Sequence, residues 1–218
     1  MEGPFVRVTK APSSDDADVP IAFLDRDGVI NVGRQGYVNR PEEVELLEGV
    51  ATSIAQLRQH GYRICVVTNQ SPIARGLWGA TELEAIHREV QRQLLEIDEA
   101  ALVDVFITCP HRFEEGCGCR KPSPAMLLLG HRVLRTPLEK PEVDSQYNAG
   151  RQNHDVDWWG TAPEAPHPLD AMVGDRRSDM GAGWAYGARL YRVSGRVGLP
   201  QVVDRLCDPS DGGDEFHP

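Results

Sequence analysis

Four aspartates of the chain follow short apolar segments. Asp25 and Asp27 come after one such segment, and Asp175 and Asp179 come after another. Carboxylates that cluster raise one another's pKa unless a cation lies among them, and Mg²⁺ prefers oxygen ligands of this kind. If the fold brings these side chains together, they predict a magnesium site. Asp25 could then attack phosphorus, and Asp27 could transfer protons to and from the reacting oxygen.

Small polar and cationic residues accompany these acids. Thr68 and Asn69 end a third apolar segment, and Arg120 and Lys121 stand just before a predicted helix. Together with Mg²⁺, a lysine and a Thr/Asn pair can cradle a phosphoryl group. Each feature alone is weak, because an aspartate after a strand is often a helix cap or a turn residue. The combination, in this order, favours catalysis over coincidence.

A second cluster of reactive residues lies directly before the lysine. Cys109, His111, Cys117 and Cys119 supply three thiols and one imidazole, which is a typical ligand set for structural zinc. The alternative is a group of buried or incidental cysteines. The sequence around the last two, EEGCGC, contains no apolar residue that would bury a thiol, so it favours zinc. A metal here would fix the loop and aim Lys121 at the phosphate.

The elements that must position these residues alternate along the chain. Short apolar runs predict strands that are buried on both faces, at residues 19–25, 62–69, 103–109 and 169–175. Amphipathic segments with capping residues predict helices at residues 48–61, 81–101 and 123–135. This alternation predicts an α/β fold with a doubly wound parallel sheet. In such a sheet, ligands bind at the carboxyl ends of the strands, where the aspartates would meet.

The length of 218 residues suits one domain, which we place at residues 19–207. We expect a loose N-terminal arm at residues 1–18 and a disordered tail at residues 208–218. Within the domain, residues 136–168 form a polar insertion that is longer than most loops. Its adjacent pair of tryptophans could form a lid over the site or anchor the insertion, and the sequence favours anchoring.

Four stretches resemble the motifs of the haloacid dehalogenase superfamily of phosphatases. They are FLDRDGVIN, VVTNQSPIARG, CPHRFEEGCGCRKPSPAM and MVGDRRSDMGAG. The similarity is greatest to the branch that contains D-glycero-D-manno-heptose 1,7-bisphosphate phosphatases and histidinol-phosphate phosphatases, and it covers about residues 20–135 and 169–200. The resemblance implies a HAD-like Rossmannoid fold without a large cap domain and with a zinc-binding loop.

The resemblance also implies a role for each matching position. Asp25 would be the nucleophile, and Asp27 would be the general acid/base that offers its main-chain carbonyl to Mg²⁺. Asp175 would bind Mg²⁺ together with Asp25, and Asp179 would lie behind these ligands. Lys121 would be the catalytic lysine of motif three.

The remaining matches concern phosphate, zinc and substrate. The resemblance implies that Thr68 and Asn69 bind phosphate oxygens. It also implies that the four Cys and His residues bind zinc. It places Ser71 and Arg75 on the substrate side, and Arg120 is a further candidate contact. A bisphosphate needs a cation for its distal phosphate, which Arg75 or Arg120 could supply.

The predicted reaction is therefore Mg²⁺-dependent hydrolysis of a phosphorylated sugar through an aspartyl-phosphate, most specifically of heptose 1,7-bisphosphate to heptose 1-phosphate. Pro72 stands where this family usually has glycine, and SPAM stands in place of PGM, so the substrate is open. A histidinol-phosphate phosphatase or another small-molecule phosphomonoesterase is the alternative. A more remote alternative is a zinc-containing binding protein that does not catalyse a reaction.

Composition excludes other classes of partner. Lys and Arg total 23 against 33 Asp and Glu, a net charge of -10, which argues against binding nucleic acid or anionic membranes. No apolar run approaches the length of a membrane span, and the first residues do not resemble a signal peptide. The five cysteines, an odd number, suggest metal or buried thiols rather than disulfides. We expect a cytoplasmic monomer.

Overall fold

The computed structural model of the chain describes residues 2–11, 18–135 and 156–218. In these residues six strands form one sheet in the order β1-β4-β3-β2-β5-β6. The strands are β1 (Phe5–Val8), β2 (Ile21–Leu24), β3 (Arg63–Asn69), β4 (Val105–Cys109), β5 (Ala171–Gly174) and β6 (Arg189–Arg192). The helices are α1 (Val50–Gln59), α2 (Ala80–Ile97), α3 (Ala125–Arg135), α4 (Arg177–Tyr186) and α5 (Val203–Cys207).

The sheet is parallel except at one edge, which confirms the predicted α/β class. Strand β2 lies at the centre, where Phe23 pairs with Cys65 of β3 on one side and with Met172 of β5 on the other. The four predicted strands end within two residues of the observed ones, because their apolar runs are buried on both faces.

Two hydrophobic clusters cover the two faces of the sheet. Because side chains alternate along a strand, Ala22 and Leu24 of β2 join the cluster that includes Ile54 of α1, together with residues of α2 and α5. Ile21 and Phe23 join the other cluster, with residues of α3 and α4. Helices therefore pack on both faces, as a doubly wound sheet requires.

The connection from β2 to α1, residues 25–49, contains only a short 3-10 turn at Pro41–Glu43 and isolated bridges. No separate cap domain is inserted within these residues. Helix α2 is amphipathic, and in the part of the chain described here no helix combines the length and apolar character that crossing a bilayer needs.

The N-terminal residues differ from the loose arm that we expected. Strand β1 pairs antiparallel with β4, with Phe5 opposite Thr108 and Val8 opposite Val105. Its residues, FVRV, include a phenylalanine and two valines, residue types that favour strands. Pairing satisfies the free edge of β4, so this segment adds a strand to the sheet.

The C-terminal residues also differ from the predicted disorder. Arg205 forms ion pairs with Asp211 and Asp214, each at 2.8 Å. The main-chain amide of Asp214 donates to the carbonyl oxygen of Leu190 at 2.6 Å, and Phe216 packs against the core. The acidic composition suggested disorder, but the partners of these acids lie far away in sequence or on a neighbouring helix.

The predicted insertion is described only from residue 156 onward, and residues 136–155 lie outside the described part. Trp158 stacks on Trp184 of α4, with ring centroids 5.8 Å apart. Trp159 is 97 % exposed. The two tryptophans therefore differ: the first is packed against the body of the protein, and the second projects from it.

Candidate active site

Three carboxylates meet at the carboxyl edge of the sheet. Asp25 and Asp175 directly follow the neighbouring strands β2 and β5, and Asp179 lies in the first turn of α4. One oxygen from each lies within 4.8 Å of the others. At Gly174, an added Cβ would fall 2.1 Å from Asp179 Cβ, so only glycine lets the helix approach this closely.

Lys121 is the cation among these acids. Its side chain is 1 % exposed, and Nζ lies 3.0 Å from Asp25 Oδ1 and 2.7 Å from Asp179 Oδ1. It also donates a hydrogen bond to the carbonyl oxygen of Val67 at 2.7 Å. Burial opposes the charged form, but the charges of Asp179 and Asp25 outweigh it and raise the pKa of Lys121. The lysine therefore stays protonated where a phosphoryl group would carry negative charge.

One lysine does not neutralise three clustered acids. Burial raises the pKa of Asp25 to about 6; the charge of Lys121 opposes this, and those of Asp179 and Asp27 add to it. Burial and the charge of Asp25 raise the pKa of Asp175. Asp175 Oδ1 is buried and receives no hydrogen bond within the described residues; Arg176 Nε lies 3.8 Å away. This excess of hard oxygen ligands fits a divalent cation such as Mg²⁺.

Asp27 occupies a separate environment. Arg26, whose side chain is fully buried, donates from Nη2 to Asp27 Oδ2 at 2.9 Å. Asn31 donates to Oδ1 at 2.9 Å, and Gln70 donates to Oδ2 at 2.7 Å. Burial raises the pKa of Asp27, but the charge of Arg26 and the three donors outweigh it, so the pKa is lowered. The Asp27 side chain is thus held apart from the three-carboxylate group.

Sequence reasoning missed the residues that hold Asp27. Arg26, Asn31 and Gln70 all lie inside the motifs that carry the resemblance, at positions between or beside the residues given a role. Their signal was available in part: Arg26 is a charged residue directly after an apolar strand, between two aspartates. The main-chain carbonyl of Asp27 stays the predicted magnesium ligand.

The polar end of β3 organises the lysine loop. Asn69 brackets the main chain of Lys121: its Nδ2 donates to the Lys121 carbonyl at 3.2 Å, and its Oδ1 accepts from the Lys121 amide at 3.1 Å. Thr68 is buried, and its hydroxyl accepts from Gln70 Nε2 at 2.9 Å. Asn69 therefore positions the loop that carries Lys121, a contact that spacing in the sequence could not reveal.

A cavity of about 310 Å³ opens above this edge, and we call it the catalytic cavity. It is lined by Asp25, Asp27, Gly33, Arg34, Gln35, Tyr37, Thr68, Asn69, Lys121, Arg176, Ser178 and Asp179. The volume suits a small phosphorylated molecule. Most of the predicted catalytic and phosphate-holding residues are here, but the 33–37 loop and the start of α4 were not given a role from the sequence.

The three predicted substrate contacts are placed differently. Ser71 is buried, Arg75 is exposed, and neither lines the catalytic cavity. Arg120 does not line it either; its Nη1 donates to the carbonyl oxygen of His111 at 2.9 Å. In this conformation, Arg34 and Arg176 are the arginines that face the catalytic cavity.

The four predicted zinc ligands form one compact cluster. Sulfur to sulfur, Cys109 lies 3.6 Å from Cys117, and Cys117 lies 3.8 Å from Cys119. His111 Nδ1 lies 3.6 Å from Cys109 Sγ and 3.3 Å from Cys119 Sγ. Tetrahedral zinc with its usual bond lengths would separate two sulfurs by about 3.8 Å, and sulfur from nitrogen by about 3.5 Å. The cluster thus has the dimensions of a metal site.

The cluster is tied to the lysine loop. Arg120 spans it through the bond to the His111 carbonyl, and Ser123 Oγ donates to the carbonyl oxygen of Gly118 at 2.6 Å. The hydrogen bonds that Cys117 receives from Cys109 and Cys119 lower the pKa of Cys117, which favours a thiolate at the centre of the cluster. The residue after Cys119 and Arg120 is Lys121, so fixing the cluster fixes the lysine.

Comparisons with known proteins agree with this geometry. The family described as polynucleotide kinase 3 phosphatase matches residues 20–162. A D-glycero-alpha-D-manno-heptose-1,7-bisphosphate 7-phosphatase from Mycobacterium tuberculosis is 36% identical over 159 residues, 72% of this chain and 68% of that protein. The beta-specific counterpart from Bordetella bronchiseptica is 41% identical over 106 residues, 49% of this chain and 58% of that protein.

A solved structure shares the fold. The crystal structure of D,D-heptose 1,7-bisphosphate phosphatase from B. bronchiseptica, complexed with magnesium and phosphate, superposes with a TM-score of 0.61 at 31% identity. The match covers 84% of this chain and 86% of that one.

Proposed function

Because this chain belongs to the polynucleotide kinase 3 phosphatase family and is a phosphatase of the HAD type, we propose that it removes the 7-phosphate of D-glycero-D-manno-heptose 1,7-bisphosphate. The products would be heptose 1-phosphate and inorganic phosphate. The observation that carries the proposal is the cluster of Asp25, Asp175 and Asp179 with Lys121, of which Asp25, Asp179 and Lys121 line the catalytic cavity. The relatives named above supply the choice of sugar.

In the proposed reaction, Asp25 is the nucleophile. Its Oδ1 is held by Lys121 and by the main-chain amide of Arg26 at 2.8 Å, so Oδ2 is the oxygen left to attack phosphorus. The P–O7 bond breaks as the Asp25–phosphorus bond forms, and the sugar oxygen leaves with a proton from Asp27. A water then attacks the aspartyl-phosphate, Asp27 takes its proton, and phosphate departs with Asp25 restored.

Asp27 must be protonated to donate, although its surroundings lower its pKa. The negative charge that develops on the leaving oxygen favours transfer of that proton. Asp27 begins the second step as the carboxylate, the form that its four neighbouring donor atoms stabilise, and it accepts the proton of water as the aspartyl-phosphate is attacked.

We propose that Mg²⁺ is held by the carboxylates of Asp25 and Asp175 and by the main-chain carbonyl of Asp27, with Asp179 behind them. The ion would supply positive charge against the phosphoryl oxygens. Lys121, whose ammonium contacts Asp25, would add a second positive charge, and Thr68 and Asn69 are the proposed contacts to the remaining phosphate oxygens. Ser71, Arg75 and Arg120 stay predicted substrate contacts, and they would need to turn toward the catalytic cavity.

We propose zinc for Cys109, His111, Cys117 and Cys119, with a structural role. Elemental analysis of the purified chain should give about one zinc per molecule. Washing with EDTA and then adding Mg²⁺ alone should restore activity, because a closed tetrahedral site releases zinc slowly. An active preparation without zinc would contradict the structural role.

The substrate is tested by a panel assay of phosphate release with the full chain and Mg²⁺. The panel holds both anomers of heptose 1,7-bisphosphate, histidinol phosphate and a simple aryl phosphate, with Asp25→Asn as the control for contaminating phosphatase. We expect the highest kcat/KM on one of the heptose bisphosphates. Phosphorus NMR of the product should show that the 1-phosphate is retained. Faster turnover of histidinol phosphate would contradict the proposal.

A further inference from the structure

A second groove adjoins the catalytic cavity. It has a volume of about 420 Å³, and we call it the aromatic groove; it is lined by Pro122, Trp158, Arg177, Ser178, Gly181, Phe216 and Pro218. Ser178 lines both the aromatic groove and the catalytic cavity, so the two spaces border each other at this residue. Pro122 follows the catalytic lysine directly in the sequence. A molecule whose phosphate lies at Asp25 could therefore extend into the groove.

The two rings of the groove are held in place from behind. The Trp158 indole stacks on Trp184, at 5.8 Å between centroids and 17° between planes. The Arg177 guanidinium lies over the Phe216 ring at 5.0 Å from its centroid, and it donates to the His217 carbonyl at 2.8 Å. One face of each ring therefore contacts the protein, and other atoms of the ring line the groove.

The backbone of α4 lies close to the groove because residue 181 is glycine. An added Cβ there would lie 2.8 Å from Pro122 Cβ and 3.8 Å from Trp158 Cζ3. A larger residue would therefore intrude on the space between the proline and the indole. The space is bounded mainly by apolar and aromatic atoms, with the Ser178 hydroxyl and the Arg177 guanidinium as its polar groups, a composition typical of ligand sites.

We propose that the aromatic groove is a subsite for a ring in the leaving group of the phosphate ester. A ring with an apolar face can pack against Trp158 and Phe216, and Arg177 suits a ring that carries a further anionic group. This inference rests on the proposed function, in which the leaving group is the pyranose ring of heptose 1-phosphate. It assigns the packing against that ring to Trp158 and Phe216, which lie outside the four motifs, in the insertion and in the C-terminal tail.

The first test compares substrates with and without a ring. Trp158→Ala and Phe216→Ala should each lower kcat/KM for heptose 1,7-bisphosphate by about five- to tenfold, the loss expected for one aromatic packing contact. They should lower kcat/KM for glycerol 3-phosphate far less. Trp159→Ala is the matched control, because this neighbouring tryptophan is 97 % exposed and does not line the groove. Equal losses on both substrates, or no loss on either, would overturn the inference.

The second test does not depend on the identity of the sugar. Phenylphosphonate and methylphosphonate are not hydrolysed, and they differ by a ring; the groove should make phenylphosphonate the stronger inhibitor of the wild type. Trp158→Ala and Phe216→Ala should remove this difference, and Trp159→Ala should keep it. If Trp158→Ala does not fold, as judged by circular dichroism, Phe216→Ala carries both tests.

The two tests separate this inference from the proposed function. The protein could fail to hydrolyse heptose bisphosphates and still need Trp158 and Phe216 to prefer phenylphosphonate. That result would support the aromatic subsite and refute the proposed sugar substrate. The protein could instead hydrolyse heptose bisphosphate and show the same inhibitor preference in all variants. That result would support the proposed substrate and refute the aromatic subsite.

Discussion

The two edges of the central sheet both bury aspartates, but they pair them differently. At the amino edge, Asp104 and Asp170 directly precede β4 and β5, and both are fully buried. At the carboxyl edge, the three-carboxylate group follows β2 and β5. Asp25 and Asp179 are buried almost as deeply as Asp104 and Asp170, so the difference between a structural and a reactive aspartate must come from the partners.

At the amino edge each of these two acids is paired with an arginine and accepts from a main-chain amide. Asp104 accepts from Arg58 Nη1 and from the amide of Ile64, both at 2.7 Å, and Arg63 Nε lies 2.9 Å from its other oxygen.

Asp170 accepts from the amide of Ile21, from Arg135 Nη2 and from the Tyr186 hydroxyl, each at 2.8 Å. Three arginines thus serve two carboxylates, and they join the starts of strands to helices. Such pairs hold the fold together and have no reason to react.

At the carboxyl edge the balance is reversed. Asp25 and Asp179 share the ammonium of Lys121, and within the described residues the ion pair of Asp175 is a long one, to Arg176 Nε at 3.8 Å. The surplus of negative charge costs stability until a cation binds. The comparison supports the proposal that the reactive acids are those that the fold leaves under-neutralised.

The largest effect should follow from Asp25→Asn. An amide cannot attack phosphorus, so kcat should fall by about 10⁴-fold or more, as for other nucleophiles. The free energy of unfolding without metal should not fall much, because one of three crowded charges is removed. Phosphate release and urea denaturation measure the two quantities. A variant that keeps turnover would end the assignment of the nucleophile.

The reverse pattern is expected for Asp104→Asn at the amino edge. It leaves Arg58 and Arg63 without their anion, so the free energy of unfolding should fall by about 3 kcal/mol. The kcat of the folded fraction should change little, since the site lies at the other end of the strands. Loss of kcat without loss of stability would break the distinction between the edges.

Magnesium should stabilise the protein by binding at the carboxyl edge of the sheet and not at the amino edge. At a concentration 100 times its Kd, Mg²⁺ should raise the free energy of unfolding of the wild type by about 2.7 kcal/mol. Asp104→Asn should show the same increase from its lower baseline, and Asp175→Asn should lose most of it. Denaturant unfolding with and without Mg²⁺ gives the increments. An undiminished increment in Asp175→Asn would remove Asp175 from the metal site.

The smallest effect concerns pH in the absence of metal. The folded pKa of Asp25, about 6, lies above the ordinary value of 3.8, so the native state binds this proton more tightly than the unfolded state does. The stability this contributes is present at about pH 4 and is lost as the pH rises through 6. Relative to Asp25→Asn, the wild type should lose about 2 kcal/mol across that range. A constant difference between the two proteins would contradict the raised pKa.

The meeting of the reactive residues at one edge of the sheet could be predicted from the sequence. Apolar runs that end in Asp25, Asn69 and Asp175 indicate parallel strands, and parallel strands bring their carboxyl ends to one edge. The Cys/His cluster could be predicted as well, because Cys109 to Cys119 lie within eleven residues. These signals are local, so a single sequence contains them.

Other features depend on residues that are distant in sequence. The sequence suggested disorder for the acidic tail because it does not reveal that Asp214 bonds to Leu190 or that Phe216 packs against the core. Strand β1 depends on pairing with β4, which is distant in the sequence. Arg120 looked like a substrate contact, yet it binds the His111 carbonyl. Which of several arginines faces a cavity depends on how loops pack, which charge and spacing do not determine.

The sequence by itself therefore determined the α/β class, the set of reactive side chains and their arrival at one edge, because these follow from periodicity and from the handedness of strand connections. Only the tertiary structure decided how each acid is partnered: Asp27 with Arg26 and Gln70, Asp104 with Arg58, and Asp25 with a lysine that it must share. The physical reason is that burial and charge pairing depend on distances of a few ångströms between segments far apart in the chain, and a linear pattern carries no such distances.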